Sequence, residues 1–278
     1  MAHKTTAMKT NVWCLALLGA AWTAVAADTA QPVPLACAHS HNDYEHKRPL
    51  LDALTAGFCS VEADVWLVDG QLLVAHNRSQ TRKERTLQSL YLDPLRERVE
   101  KNGGRVYPGG PSLTLLIDFK TEASATYRAL NEALKPYATI LTKFHSDRTQ
   151  TNAIIIIVSG NRPLELMQSE TVRHAGYDGR LADLETPASP HFMPLVSDNW
   201  TTHFQWRGSG PLPEAQKQKL KQLVGKAHQQ GKRLRLWAAP DLPAAWRELL
   251  AAGVDLINTD DLEGFRRFLL ERRNETMK

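Results

Sequence analysis

Short apolar runs alternate with longer amphipathic ones along most of this chain, and the spacing changes from period two to period 3.6 and back. "LACAHS" (35–40) is a short strand pattern that ends in polar residues. "RPLLDALTAGF" follows with helical spacing: Pro49 suits a first turn, Leu50, Leu51 and Leu54 fall on one side, and Gly57 supplies a stop. "CSVEADVWL" (59–67), "SLTLLIDFK" (112–120), "AIIIIVS" (153–159), "GRLADL" (179–184), "MPLVSD" (193–198), "KRLRLWAA" (232–239) and "VDLINTDD" (254–261) read as further strands. Between them lie helical patterns at 123–134, 214–231 and 244–253, and a last one runs through "EGFRRFLLERR".

About eight strands, most of them followed by helices, predict a single α/β domain over 33–273. The strands are apolar almost throughout, which suits a parallel sheet covered on both faces. An eight-stranded β/α (TIM) barrel is the architecture expected. An open doubly wound sheet is the alternative, but no glycine-rich phosphate loop follows the first strand. The stretch 77–112 is the longest interruption, a helix-containing excursion that ends in "PGGP".

The first 26 residues follow another pattern. A basic start precedes an apolar core from Val12 to Val25, and Ala24-Val25-Ala26 offers small residues for cleavage. The core is short for a membrane span, so a signal peptide and an exported, periplasmic or secreted, mature chain are expected. Loss of Lys4 and Lys9 would take the formal charge from +4 to +2. With no long basic run, a nucleic-acid partner is not indicated. Cys37 and Cys59 would then meet an oxidising compartment, as a disulfide or as two buried thiols.

Polar residues at the C-terminal ends of barrel strands share one mouth. Glu62 and Asp64 point the same way because strand side chains alternate, and Asp118 and Lys120 repeat that spacing on the next strand. Each pair of carboxylates ~4 Å apart repels by roughly 4 kcal/mol at an effective dielectric near 20. A hard divalent cation reverses that sign, and an all-oxygen set suits magnesium or calcium. Lys120 would stand beside the ion and hold an anionic group. His76 ends the run after Asp69-Gly70. A two-residue turn there would pair position 76 with Ala63 and aim the ring away from Glu62, whereas a three-residue loop, Val68-Asp69-Gly70, with a bulge at Gly70, would pair it with Glu62. The bulged hairpin is therefore expected. Two histidines flanking such an ion, His39 and His76, suit phosphodiester cleavage: one accepts a proton from the attacking hydroxyl and the other donates one to the leaving oxygen.

The order His39, Glu62-x-Asp64, His76, Asp118-x-Lys120, closing with "LWAAP" and "AGVDLINTDD", resembles the glycerophosphodiester phosphodiesterase and phosphatidylinositol-phospholipase-C-like superfamily. It is most similar to the fungal and bacterial branch that includes the yeast "altered inheritance of mitochondria" protein six, and the spider-venom sphingomyelinases D share an Asp-x-Lys of this kind. The resemblance covers His39 to about Phe268. It implies a barrel phosphoric diester hydrolase acting on a small-molecule or phospholipid-like diester. His39 and His76 would be the acid–base pair, Glu62, Asp64 and Asp118 the metal ligands, and Lys120, Trp237 and Asn42 would lie at the substrate or the metal. Many members carry His-Arg-Gly on the first strand and Glu in place of Asp118; this chain has "HSHND".

Other positions admit two readings. His41 is a third functional histidine or a loop cap, and Asp43 orders the loop. Ser159, Asn161 and Arg162 follow the fourth strand and offer phosphate contacts. Trp200, Phe204 and Trp206 either greet a membrane surface or pack their own loop. His-x-His also opens zinc amidohydrolases and PHP-type phosphoesterases, but no strand end near 180 or 196 offers a histidine to complete that set. An exported binding protein without turnover is the third reading.

Overall fold

The computed structural model describes residues 1–3, 31–186 and 188–276. The expected signal, apart from its first three residues, lies outside them. From Pro32 onward the chain forms one unit. Its first half comprises β1 (Leu35–Ser40), α1 (Leu51–Ala56), β2 (Phe58–Val68), β3 (Gln71–Val74), α2 (Asp93–Lys101), β4 (Leu113–Phe119), α3 (Ala123–Leu134), β5 (Lys143–His145) and β6 (Thr149–Gln150). Its second half comprises β7 (Ile154–Gly160), α4 (Leu164–Ser169), β8 (Val172–Arg173), β9 (Ala175–Gly179), β10 (Leu195–Asn199), α5 (Trp200–His203), α6 (Glu214–Gln229), β11 (Arg233–Trp237), α7 (Pro243–Ala252), β12 (Ile257–Thr259) and α8 (Leu262–Thr276).

Eight strands pair in parallel in the order β11-β10-β9-β7-β4-β2-β1-β12. A bridge between Arg235 and Leu256 joins the two ends. The result is a nearly closed β/α barrel, as the strand pattern requires. Leu116, Ile157, Leu195 and Leu256 make a small apolar cluster of their own, separate from the large core that takes in the helices. Because interior side chains come from alternate residues, the polar positions two places further along β4 and β7, Asp118 and Ser159, face the mouth.

Local sequence explains several boundaries. α3 begins where the Glu122 carboxylate accepts hydrogen bonds from the backbone N–H of Ser124 and Ala125. α1 ends at Gly57, whose φ of 89° suits glycine, and a Cβ there would stand 2.2 Å from the Val33 carbonyl oxygen. One strand lies elsewhere than the pattern suggests. The fifth barrel strand is Ala175–Gly179, "AGYDG", and 181–185 forms a 3-10 turn. Two glycines and an aspartate carry little strand preference, so pairing with β7 and β10 decides this element.

The hairpin also differs from expectation. The turn is the two-residue Asp69-Gly70, with φ of 49° and 78°, and it pairs Val68 with Gln71 and Val65 with Val74. The bulged three-residue loop does not form. The last bond of the ladder runs from Ala75 N to Asp64 O, and Trp66 Nε1 holds the Ala75 carbonyl. Beyond it the chain leaves the ladder, so alternation no longer governs where His76 points.

The excursion at 77–112 braces the loop after β1. Tyr91 donates to Asp43 Oδ2 (2.9 Å), and Arg85 Nη2 donates to the Tyr44 carbonyl (2.7 Å). Asp43 also accepts from Ser40 Oγ and from the Leu50 N–H, so it orders this loop. Cys37 and Cys59 are free thiols. Among the described residues no helix is long and apolar enough to cross a membrane.

Candidate active site

Glu62 and Asp64 share a face of β2, and Asp64 sits beside Asp118 in the β2–β4 register. One oxygen from each of the three carboxylates lies within 4.8 Å of the others. Lys120 Nζ bridges Asp64 Oδ2 (3.0 Å) and Asp118 Oδ1 (2.9 Å). Arg235, inside the barrel from β11, binds Glu62 Oε2 and donates from Nε to Asn258 Oδ1 (2.8 Å). Asp118 owes its place partly to Gly160, where φ is +67° and a Cβ would stand 2.4 Å from Asp118 Oδ1.

Burial and the neighbouring Glu62 charge push Asp64 up to about 6, against the pull of Lys120. Burial also raises Asp118. Burial alone would raise Glu62, but Arg235 and His39 hold it well below the usual carboxylate range. Three acids thus face two cations, and Asp64 Oδ1 is buried without a hydrogen-bond partner. An unpartnered oxygen on one of three clustered carboxylates fits a hard divalent cation held by Glu62, Asp64 and Asp118.

A cavity of about 220 Å³ opens over the cluster, lined by His41, Asn42, Glu62, Asp64, His76, Asp118, Lys120, Ser159, Arg180, Arg235 and Trp237. His76 Nδ1 lies 3.3 Å from Asp64 Oδ2 and 3.1 Å from the Tyr44 hydroxyl, which itself lies 2.7 Å from Asp64 Oδ2. His41 Nδ1 lies 3.0 Å from Asp260 Oδ1. The Asn42 amide lies between the two rings, its Nδ2 3.1 Å from His41 Nδ1 and its Oδ1 accepting from the Tyr44 hydroxyl (2.7 Å). Burial lowers His41, but the bond to Asp260 and the charges of Glu62 and Asp260 outweigh it and leave the ring raised.

The two histidines of "HSH" therefore occupy different places. His39 is 0% exposed. Its Nδ1 meets Ser60 Oγ (2.7 Å) and its Nε2 meets Glu62 Oε2 (3.2 Å). Burial and the Arg235 charge bring it down to about 4. It supports Glu62 from within the barrel and does not line the cavity. Asn42, Lys120 and Trp237 do line it, as expected. Arg162 does not: its guanidinium binds the Asp178 carbonyl and stacks 5.0 Å from the Tyr177 ring. Asn161 donates to the Thr121 carbonyl. Trp200, Phe204 and Trp206 are buried and packed on one another, so this loop offers no apolar surface to a membrane.

Three residues at the site escape a linear reading: Tyr44, Arg180 and Arg235. Arg235 carried a usable signal, since it shares the inward face of "RLRLW" with Trp237 and an arginine inside a barrel requires an anionic partner. Arg180 carried none, because the strand that positions it was not recognisable.

The family description "AIM6-like phosphodiesterase domain" matches residues 27–178, more than half of the chain. This chain belongs to the AIM6-like phosphodiesterase family. A second description, "Glycerophosphoryl diester phosphodiesterase family", matches residues 233–263, which carry Arg235, Trp237 and Asp260. The chain is 32% identical over 265 residues to altered inheritance of mitochondria protein 6 homolog of Arthroderma benhamiae, covering 83% of this chain and 82% of that one. To altered inheritance of mitochondria protein 6 of Eremothecium gossypii it is 31% identical over 282 residues, covering 88% and 72%. The crystal structure of glycerophosphodiester phosphodiesterase from Agrobacterium tumefaciens superposes with a TM-score of 0.51 at 17% identity, over 85% of this chain and 100% of the other. The enzyme of that name from Parabacteroides distasonis gives 0.50 at 16%, over 85% and 97%. These two share the barrel fold.

Proposed function

We propose that this phosphodiesterase-family chain hydrolyses glycerophosphodiesters or phospholipid-like diesters with a divalent cation, magnesium or calcium, held by Glu62, Asp64 and Asp118, and that His41 and His76 move the protons. One observation carries the reading: a single small cavity is lined by two carboxylate-anchored histidines, the three acids and three cationic side chains. In each ring Nδ1 is engaged, by Asp260 in His41 and by Asp64 and Tyr44 in His76, so Nε2 remains for the substrate. The raised basicity of His41 suits the donor that protonates the leaving oxygen, and His76 takes the proton of the attacking hydroxyl. Lys120 and Arg235 keep the acids charged and close together. When bound, the cation neutralises charge gathering on the phosphoryl oxygens. His39 fixes Glu62 in place and takes no part in proton transfer. Export of the mature chain belongs to the same proposal, on the strength of the N-terminal pattern.

The test is hydrolysis of bis(4-nitrophenyl) phosphate and glycerophosphocholine by chelator-stripped protein with magnesium, calcium or zinc returned singly. Magnesium or calcium should restore turnover. His41→Ala and His76→Ala should each lose roughly 100- to 10,000-fold in kcat with thermal unfolding near that of the parent. Activation by zinc alone would favour the amidohydrolase-like chemistry, and metal-dependent binding of the diester without turnover would make the chain a binding protein. Full activity in His41→Ala alongside an inactive, folded His39→Ala would return the proton-transfer role to His39.

A further inference from the structure

Across the mouth from the acids lies a polar cluster that the proposed proton transfers do not use. Asp178 is fully buried on β9. Its Oδ2 accepts from Ser159 Oγ on β7 (2.7 Å) and from Arg180 Nη1 (3.0 Å), and its Oδ1 accepts from Ser197 Oγ on β10 (2.7 Å). Val158 pairs with Tyr177, so Ser159 falls beside Asp178; Leu195 pairs with Asp178, and Ser197, two residues further along the same face of β10, reaches back to it. Asp118 pairs with Ser159, which carries this belt directly to the acid cluster.

Arg180 ends this belt, and it differs from the other two cations of the cavity. Lys120 is committed to Asp64 and Asp118, and Arg235 to Glu62 and Asn258. The guanidinium of Arg180 meets protein only through Nη1, bonded to Asp178 and to the Gly179 carbonyl (2.8 Å), among the described residues. Its Nε and Nη2 donors remain, in the fork geometry that matches two oxygens of a phosphate. The carboxylate that holds it already shares its charge with two serine hydroxyls. The backbone is held as well: the Arg180 N–H donates to Asp183 Oδ2 (2.7 Å), and Arg162 braces the Asp178 carbonyl from behind. An arginine fixed at one nitrogen, side chain 30% exposed and lining the cavity, is organised for an anion before one arrives.

We propose that Arg180, positioned by Asp178, Ser159 and Ser197, grips the non-bridging phosphoryl oxygens of the substrate and of the monoester product. This rests on the reading of the cavity as a phosphodiester site and adds the residue that recognises the phosphate. Binding of inorganic phosphate to chelator-stripped protein, followed by titration calorimetry, tests it. Arg180→Gln should weaken binding by roughly 10- to 100-fold, as expected for loss of a charged hydrogen-bonded partner, and Arg180→Lys should recover part of it. Asp178→Asn, which keeps the guanidinium but loosens it, should fall between Arg180→Gln and the parent. Arg148→Gln, on an exposed arginine far along the chain, should match the parent. An affinity in Arg180→Gln within twofold of the parent overturns the inference. Arg180-dependent phosphate binding in a protein that turns over no diester supports it and overturns the hydrolase reading instead. Turnover with Arg180-independent phosphate binding does the reverse.

Discussion

The two sides of the barrel mouth are built differently. On β1, β2 and β4 the functional groups come in short motifs: Glu62-x-Asp64, Asp118-x-Lys120 and the polar run His41-Asn42-Asp43-Tyr44. On the other side, Ser159 on β7, Asp178 on β9 and Ser197 on β10 form a belt of one residue per strand, Arg180 follows just past β9, and β11 carries Arg235 and Trp237. The first side concentrates negative charge and the second supplies positive charge. Arg235 ties them together by reaching across the interior to Glu62. A motif survives in linear sequence because neighbouring residues on one strand must face one spot. A belt of single residues exists only once strands are in register.

Cutting the tie should produce the largest effect. Arg235→Met leaves Glu62 buried without its cation, and metal-stripped protein should lose about 3–5 kcal/mol of stability in urea unfolding. A loss below ~1 kcal/mol would mean that the two sides stand independently. A smaller effect separates the strand-one histidines. Because folded His39 titrates near 4 against its ordinary 6.5, the unfolded chain takes up the proton first as the pH falls. Stability is therefore lost between pH 6.5 and 4, by about 3 kcal/mol for this one ring. Asp64, raised to about 6 from 3.8, acts in the opposite sense as the pH falls through much the same window. The difference between parent and His39→Gln in chelator isolates the histidine, and it should shrink as the pH falls from 7 to 4. A constant difference would place His39 in contact with solvent. Smallest should be Gly160→Ala, where the two sides meet. The positive φ and the approach of a Cβ to Asp118 Oδ1 and to the Phe119 backbone (2.5 and 2.7 Å) predict about 2 kcal/mol of destabilisation, and metal affinity falling roughly tenfold by calorimetry. Unchanged metal affinity would remove Asp118 from the cation site.

Much of the barrel was legible because apolar strands and amphipathic helices alternate, and seven of the eight strand patterns lie where expected. The exception, Ala175–Gly179, is set by its neighbours; its own residues favour a turn. In the site, the acids and Lys120 were legible from period two alone. His76 was legible by its destination but not by its route, since the ladder ends before it. The choice between His39 and His41 was not legible. Both sit on one alternation face, and the depth at which each emerges depends on where β1 ends relative to β2 and β12.

Taken alone, the sequence determined a parallel barrel and a cluster of acids that repel one another unless a cation joins them, because both follow from spacing within single segments. Only the tertiary structure decided which histidine meets the cavity and how each cation is held, Lys120 and Arg235 within the acid cluster and Arg180 through one nitrogen on Asp178. Those outcomes depend on burial and on contacts between strands far apart in the chain, such as Glu62 with Arg235, and no local pattern encodes such distances.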